Sequence, residues 1–208
     1  VRATPTVILL DGNDQILSSH NDLAGAIVAL AQKEEENPGS VYTISFCKDN
    51  KYAATEKDLE AMEYAAGVKT GIFNYDGLDY TNLSSASNAA KITWSGCYDS
   101  SGNSNARSWT ELEITGDLNF FGTETIIKGW LISTNCSDTV KEGAIYANYT
   151  KLTFEKGTTF DRDRHFNQLG YFLSVYGGSK NTAESNNMPV QTHRKEIIFN
   201  NGGYVYNL

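Results

Sequence analysis

The stretch KITWSG, residues 91–96, sets an aliphatic residue, a spacer and an aromatic ahead of a glycine. Three later stretches rhyme with it: DLNFFG (117–122), KLTFEKG (151–157) and EIIFNNG (196–202). Their aromatics, Trp94, Phe120, Phe154 and Phe199, stand 26, 34 and 45 residues apart. Alternation of apolar and polar residues marks half-buried strands, and Gly or Asn marks the corners between them. Further short β candidates lie between: SWTELEI (108–114), TIIKGWLIS (125–133), AIYANY (144–149) and YFLSVYGG (171–178). A strand-plus-glycine unit recurring at uneven spacing predicts stacked coils, each carrying loops of different length. An antiparallel β-sandwich with Gly-rich hairpins is the alternative.

Before residue 90 the rhythm is different. TVILL (6–10) predicts a strand closed by Asp-Gly-Asn-Asp. Ser19 then reads as an N-cap with Asp22 three residues on, a variant of the capping box. Leu23, Ala26, Ile27, Leu30 and Ala31 follow on one helical face, up to the stop at Asn37-Pro38-Gly39. VYTISFC (41–47) predicts a second strand. Thr55 and Asp58 open a second helix with Leu59, Met62, Ala65 and Ala66 inward and Gly67 as its stop. VKTGIFNYDG (68–77) returns to β. The segment lacks a Gly-rich phosphate turn, since Asp11-Gly12-Asn13-Asp14 puts two carboxylates where a phosphate would sit, and this argues against nucleotide binding.

Composition limits the classes of function. The chain of 208 residues carries a formal net charge of −8, and its densest basic run, Arg162–His165, is broken by aspartates. A nucleic-acid partner needs a concentrated basic face, so none is expected, and neither is attraction to an anionic membrane. No apolar run is long enough to span a bilayer, so no membrane insertion is expected. Nineteen Asn and 18 Gly against 3 Pro suit many tight turns. Cys47, Cys97 and Cys136 form no CxxC, which gives zinc no support and leaves any disulfide among them open. Sequons occur at Asn82, Asn135 and Asn148, a frequency unsurprising in an Asn-rich chain.

The phrases YFLSVYGGS (171–179) and IIFNNGGYVYNL (197–208) resemble the right-handed parallel β-helix, or pectin-lyase-like, repeats of bacterial cell-surface adhesin-like proteins. That resemblance implies a mainly β fold: a right-handed parallel β-helix (solenoid) over residues 91–208, behind an α/β N-terminal cap with two short helices over residues 1–90. It implies an extracellular or cell-surface scaffold that presents a β-helical surface to a host or neighbouring-cell protein or glycan. YVYNL (204–208) then reads as an internal coil in a longer polypeptide, with self-association through its open edge.

Candidate chemistry is sparse. FDRDRHF (160–166) gathers Asp161, Asp163 and His165, which alternation would set on one strand face, with Arg162 and Arg164 on the other. Under a polysaccharide lyase or glycoside hydrolase alternative these would be the catalytic candidates. Calcium would enter only with the lyase, held by carboxylates while a base abstracts a proton. No other cofactor or metal is implied. A solvated charged loop accounts for the run more simply. Glu111 and Glu113 share a face in TELEI and read as its polar outside. Trp109, Trp130, Tyr171 and Tyr176 are the candidates for a sugar-stacking platform, although core packing is the default for aromatics. These readings favour a non-enzymatic module over an enzyme and leave the polysaccharide-acting enzyme as the alternative.

Overall fold

The computed structural model describes residues 6–46, 51–87, 90–96, 110–128, 130–134, 145–146, 150–155, 159–161, 173–174, 197–199 and 204–206. In chain order the elements begin with β1 (Val7–Asp11), β2 (Ile16–His20), α1 (Leu23–Glu36), β3 (Val41–Phe46) and β4 (Lys51–Ala53). They continue with α2 (Glu56–Ala65), the hairpin β5 (Phe73–Tyr75) and β6 (Leu78–Tyr80), and a 3-10 turn over Leu83–Ser87. Next come β7 (Lys91–Ser95), β8 (Thr110–Ile114), β9 (Leu118–Asn119), β10 (Glu124–Lys128), β11 (Trp130–Thr134) and β12 (Ile145–Tyr146). The last are β13 (Lys151–Phe154), β14 (Thr159–Asp161), β15 (Leu173–Ser174), β16 (Ile197–Phe199) and β17 (Tyr204–Tyr206).

These strands form open sheets. A seven-stranded sheet has the order β16-β13-β10-β7-β3-β1-β2, and a five-stranded sheet the order β17-β14-β11-β8-β4. A three-stranded sheet joins β15-β12-β9, and β5 pairs with β6 alone. The largest sheet is mixed: β1 is antiparallel to both β2 and β3, while β3, β7, β10, β13 and β16 run parallel.

This corrects the expected right-handed parallel β-helix with an α/β cap. Among the described residues none of the sheets is closed or solenoidal. The segment expected to form the cap supplies β1, β2 and β3 to the same sheet as β7, β10, β13 and β16. The four rhyming stretches are also not equivalent. KITWSG, KLTFEKG and EIIFNNG supply β7, β13 and β16 of the seven-stranded sheet, whereas DLNFFG supplies β9 of the three-stranded one. The physical reason is that an aliphatic–spacer–aromatic rhyme reports residues stacked in register. Any parallel ladder produces that signal, whether or not its sheet closes.

The ladder itself is clear. Leu9, Ile44, Trp94, Ile127, Phe154 and Phe199 occupy one row across β1, β3, β7, β10, β13 and β16. The first five of these side chains are buried. The row beside it, Tyr42, Ile92, Thr125 and Leu152, is buried too. Thr125 is accommodated there because its hydroxyl donates to the Phe121 carbonyl at 2.6 Å and shares a 2.8 Å hydrogen bond with Thr150. Trp94 meets Phe120 and Phe121 edge-on, at 5.5 and 6.0 Å between ring centroids. Those two rings follow β9, so they join the three-stranded sheet to the seven-stranded one. Tyr52, Leu112, Ile132, Phe160 and Val205 form the matching row of the five-stranded sheet.

Two local readings change. Ser19 is not a helix cap but part of β2, which ends at His20, and α1 starts later with Asp22 as its N-cap. The β1–β2 hairpin prevails over the capping signal at Ser19 because it completes the sheet edge. TIIKGWLIS is two strands, β10 and β11, belonging to different sheets. The second helix follows the expectation closely: Thr55 is its N-cap, and the capping box with Asp58 is complete. Gly122 has φ 98°, and a Cβ there would lie 2.7 Å from the Ala90 carbonyl oxygen. Gly122→Ala should therefore destabilise the chain by more than about 1 kcal/mol, read from the midpoint of chemical denaturation.

Candidate functional site at the N-terminus of α1

A helix starts with N–H groups that have no partner within the helix. At α1 three of them find acceptors on three different side chains. Leu23 N–H donates to the Tyr52 hydroxyl at 2.9 Å, Ala24 N–H to Asp58 Oδ1 at 2.9 Å, and Gly25 N–H to Asp22 Oδ1 at 2.8 Å. Asp58 is fully buried and belongs to α2. Its second oxygen accepts the Tyr52 hydroxyl at 2.6 Å and the Thr55 N–H at 3.0 Å. One carboxylate thus serves the starts of both helices and holds β4 beside them through Tyr52.

The exposed side of this cluster is built by β2 and the β5–β6 hairpin. The Tyr75 hydroxyl donates to Asp22 Oδ1 at 2.7 Å, so that one oxygen accepts both Tyr75 and Gly25. His20 Nε2 and Ser18 Oγ share a hydrogen bond of 2.7 Å. Gly25 is the point on which the groups converge. A Cβ there would lie 3.0 Å from the Tyr75 hydroxyl and 3.2 Å from both Asp22 Oδ1 and His20 Nδ1. Burial pushes both tyrosine hydroxyls well above their ordinary pKa, and the neighbouring aspartates add to this, so they stay protonated and act as donors.

This arrangement does structural chemistry. The donors that a bound anion would use are taken by Asp22, Asp58 and Tyr52, so the helix start is closed by its own side chains. Among the described residues no group of three or more His, Cys, Asp or Glu is placed to hold a metal ion.

The sequence candidates fall elsewhere. Asp161 ends β14 and stands in register with Ser133 of β11, which stands in register with Glu113 of β8. Trp130 opens β11 opposite Thr110. Asp163, His165, Trp109, Tyr171 and Tyr176 lie outside the described residues, as do all three cysteines. Within TELEI, Leu112 and Ile114 are buried, and Glu113 pairs with Lys51 of β4 at 2.5 Å. That matches the expectation of a half-buried strand with a polar outside. His20 ends β2. The sequence reading missed Tyr52 and Tyr75, because a tyrosine in a short strand carries no mark of a distant carboxylate partner. It did contain Asp22 and Asp58 as capping residues, but not their links between elements.

No protein-family profile matches the chain, and no curated protein or solved structure matches it either. Among the described residues no helix is long and apolar enough to cross a membrane.

Two measurements probe the cluster. Asp58→Ala leaves buried N–H groups and the Tyr52 hydroxyl without their acceptor, and should cost about 3 kcal/mol of stability in chemical denaturation. Burial lowers the His20 pKa below its ordinary value, while Asp22 pulls the other way more weakly. The unfolded chain therefore takes up this proton first as pH falls. His20's contribution should be fully present above pH ~6.5 and decline as pH falls through that value toward the lower folded pKa. Denaturation midpoints in His20→Asn should lose that part of the slope, and an unchanged slope would contradict the assignment.

Proposed function

We propose that this chain is an extracellular, non-enzymatic scaffold or binding module that presents the outer face of its sheets to a protein or glycan of a host or neighbouring cell. The observation that supports this reading is the in-register outer row of the seven-stranded sheet. Val41, Lys91, Glu124 and Lys151 stand side by side across β3, β7, β10 and β13. Val41, Lys91 and Lys151 are exposed, and Glu124 is half-buried. Neighbouring strands lie ~4.8 Å apart, so such a row offers alternating side chains at fixed spacing on a rigid backing. A partner meeting this surface finds groups already ordered, which reduces the entropy lost on binding.

The row also suggests the mode of contact. Lysine and glutamate side by side favour a partner that carries both signs or many hydroxyls over a uniformly charged polymer. Self-association belongs to the same proposal, through β17, the outermost strand of the five-stranded sheet among the described residues.

Binding of the immobilised chain to arrayed glycans and extracellular-matrix proteins tests the reading. A genuine ligand of this face should lose about tenfold in affinity in Lys91→Glu, equivalent to ~1.4 kcal/mol. Incubation with uronate polymers and calcium tests the opposing view. Accumulation of an unsaturated product absorbing in the near ultraviolet would show an enzyme and overturn the proposal.

A further inference from the structure

β2 is the last strand of the seven-stranded sheet, and among the described residues no strand pairs with its far side. The chain's parallel strands all add beyond β3, on the other side of β1. An edge of this kind presents unpaired N–H and C=O groups, which proteins commonly blunt with lysine or proline. The strand ILSSH contains neither, nor any Asp, Glu or Arg. It does carry a bulge. Leu9 stands opposite Ser18 but Leu10 stands opposite Ile16, so Leu17 is the extra residue. Two consecutive aliphatic side chains are left at the surface there, Ile16 at 57% exposure and Leu17 at 36%. Ser19 is exposed as well, while Ser18 and His20 are half-buried and hydrogen-bonded to each other.

Carboxylates flank this strip at both ends. Before it, Asp14 is exposed in the β1–β2 turn with a left-handed φ of 60°. Half-buried Asp11 stands at the base of that turn, its Oδ1 accepting the N–H groups of Asn13 and Gln15. After the strip comes Asp22, which accepts the Tyr75 hydroxyl at 2.7 Å. Exposed Asp76 follows Tyr75 in the β5–β6 turn and so belongs to the same end. Lys57 reaches that hairpin through the Asn74 carbonyl, but it also pairs with Glu60 at 3.6 Å. A further exposed aliphatic side chain, Leu78 at 61%, stands opposite Tyr75 in the hairpin.

We propose that the edge of β2 takes an extended segment of a partner protein as an added strand, apolar at its centre and flanked by lysine or arginine. Strand addition supplies backbone hydrogen bonds along β2, while Ile16 and Leu17 give the guest's apolar side chains a surface. Basic flanks meet Asp11 and Asp14 at one end and Asp22 and Asp76 at the other. At ~3.4 Å per residue the strand spans ~17 Å, so the guest needs a basic residue on either side of about five uncharged ones. The same charges make a second copy of this chain the poorer guest. Two β2 strands paired antiparallel would set the Asp14 turn of each against the Asp22 end of the other, in chains of formal net charge −8. This edge is distinct from the outer face proposed above, and either can bind without the other.

The test titrates the full chain into the labelled peptide Lys-Lys-Val-Thr-Val-Thr-Val-Lys-Lys and follows fluorescence anisotropy. The expected result is saturable binding that weakens as salt is raised, with slower hydrogen exchange at the β2 amides. Glutamates in place of the peptide's lysines should abolish binding. Prolines in place of its central Thr-Val pair should weaken it about tenfold, since proline donates no N–H. Ile16→Lys, a change at an exposed position, should also lose about tenfold. Asp14→Asn removes a charge but keeps a residue that tolerates left-handed backbone, and should lose about threefold. Lys91→Glu on the outer face should leave peptide binding unchanged, which separates this edge from that face. The wild-type chain with the peptide series decides the matter even if a variant fails to fold. Equal binding of the glutamate or proline peptide, full affinity in Ile16→Lys, protection of amides outside β2, a dimer in sedimentation that Ile16→Lys dissociates, or no binding at all would each overturn the proposal.

Discussion

The Asp58 carboxylate is the interaction on which the N-terminal part of the molecule depends. It lies at 0% exposure and accepts hydrogen bonds from the starts of two helices and from a tyrosine on a strand. A polar group at that depth is tolerable only because N–H and O–H donors replace the water it has lost. The dependence is mutual. The first N–H groups of α1 are buried and need acceptors, and α1 in turn packs on β1, β2, α2 and the 3-10 turn. The opposite end of α1 repeats the idea. Buried Glu34 accepts the Gly39 N–H at 2.5 Å, which fixes the turn into β3. Two buried carboxylates thus hold the two ends of α1.

From β3 onward a different principle takes over. Each parallel strand copies the side-chain pattern of its neighbour, so Ile44, Trp94, Ile127 and Phe154 stack without local hairpins to guide them. Register is protected because a slip of one residue would turn every apolar side chain of a strand toward the outer face. The long connections between these strands are left free to vary, which explains the uneven spacing of the repeat. Size differences within the row are absorbed by the neighbouring sheet, where Phe120 and Phe121 pack edge-on against Trp94.

What could be read from the sequence follows the range over which each cause acts. The second helix was legible because its cap, Thr55 with Asp58, is a local exchange of hydrogen bonds. The start of the first helix was misread because Ser19 satisfies the same local rule, and only pairing of Val7 with His20 and Ile8 with Ser19 draws it into a strand. The apolar and aromatic rows were legible as a rhyme, yet the rhyme carries no information on sheet closure, nor on which sheet Phe120 joins. At the candidate site Asp22 and Asp58 could be found, whereas Tyr52 and Tyr75 could not, since the Tyr75–Asp22 contact spans fifty-three residues. Asp161 was noticed for its charge, but its alignment with Ser133 and Glu113 depends on a register that exists only once three strands have paired.

The reversal of strand direction at β1 has a kinetic consequence. Hairpin pairing of β1 with β2 closes a turn of only a few residues, and the antiparallel contact of β1 with β3 spans a single helix. The parallel pairings have no tight turn to close. Their connections run from the 15 residues between β8 and β11 to the 56 between β4 and β8, at a greater entropic cost of closure than the four residues of the β1–β2 turn. Assembly should therefore be polar: the antiparallel hairpin and its two helices form a template, and the parallel strands add to its open side one after another. Because β2 turns the opposite edge into a hairpin border, that template offers each incoming parallel strand a single side on which to grow.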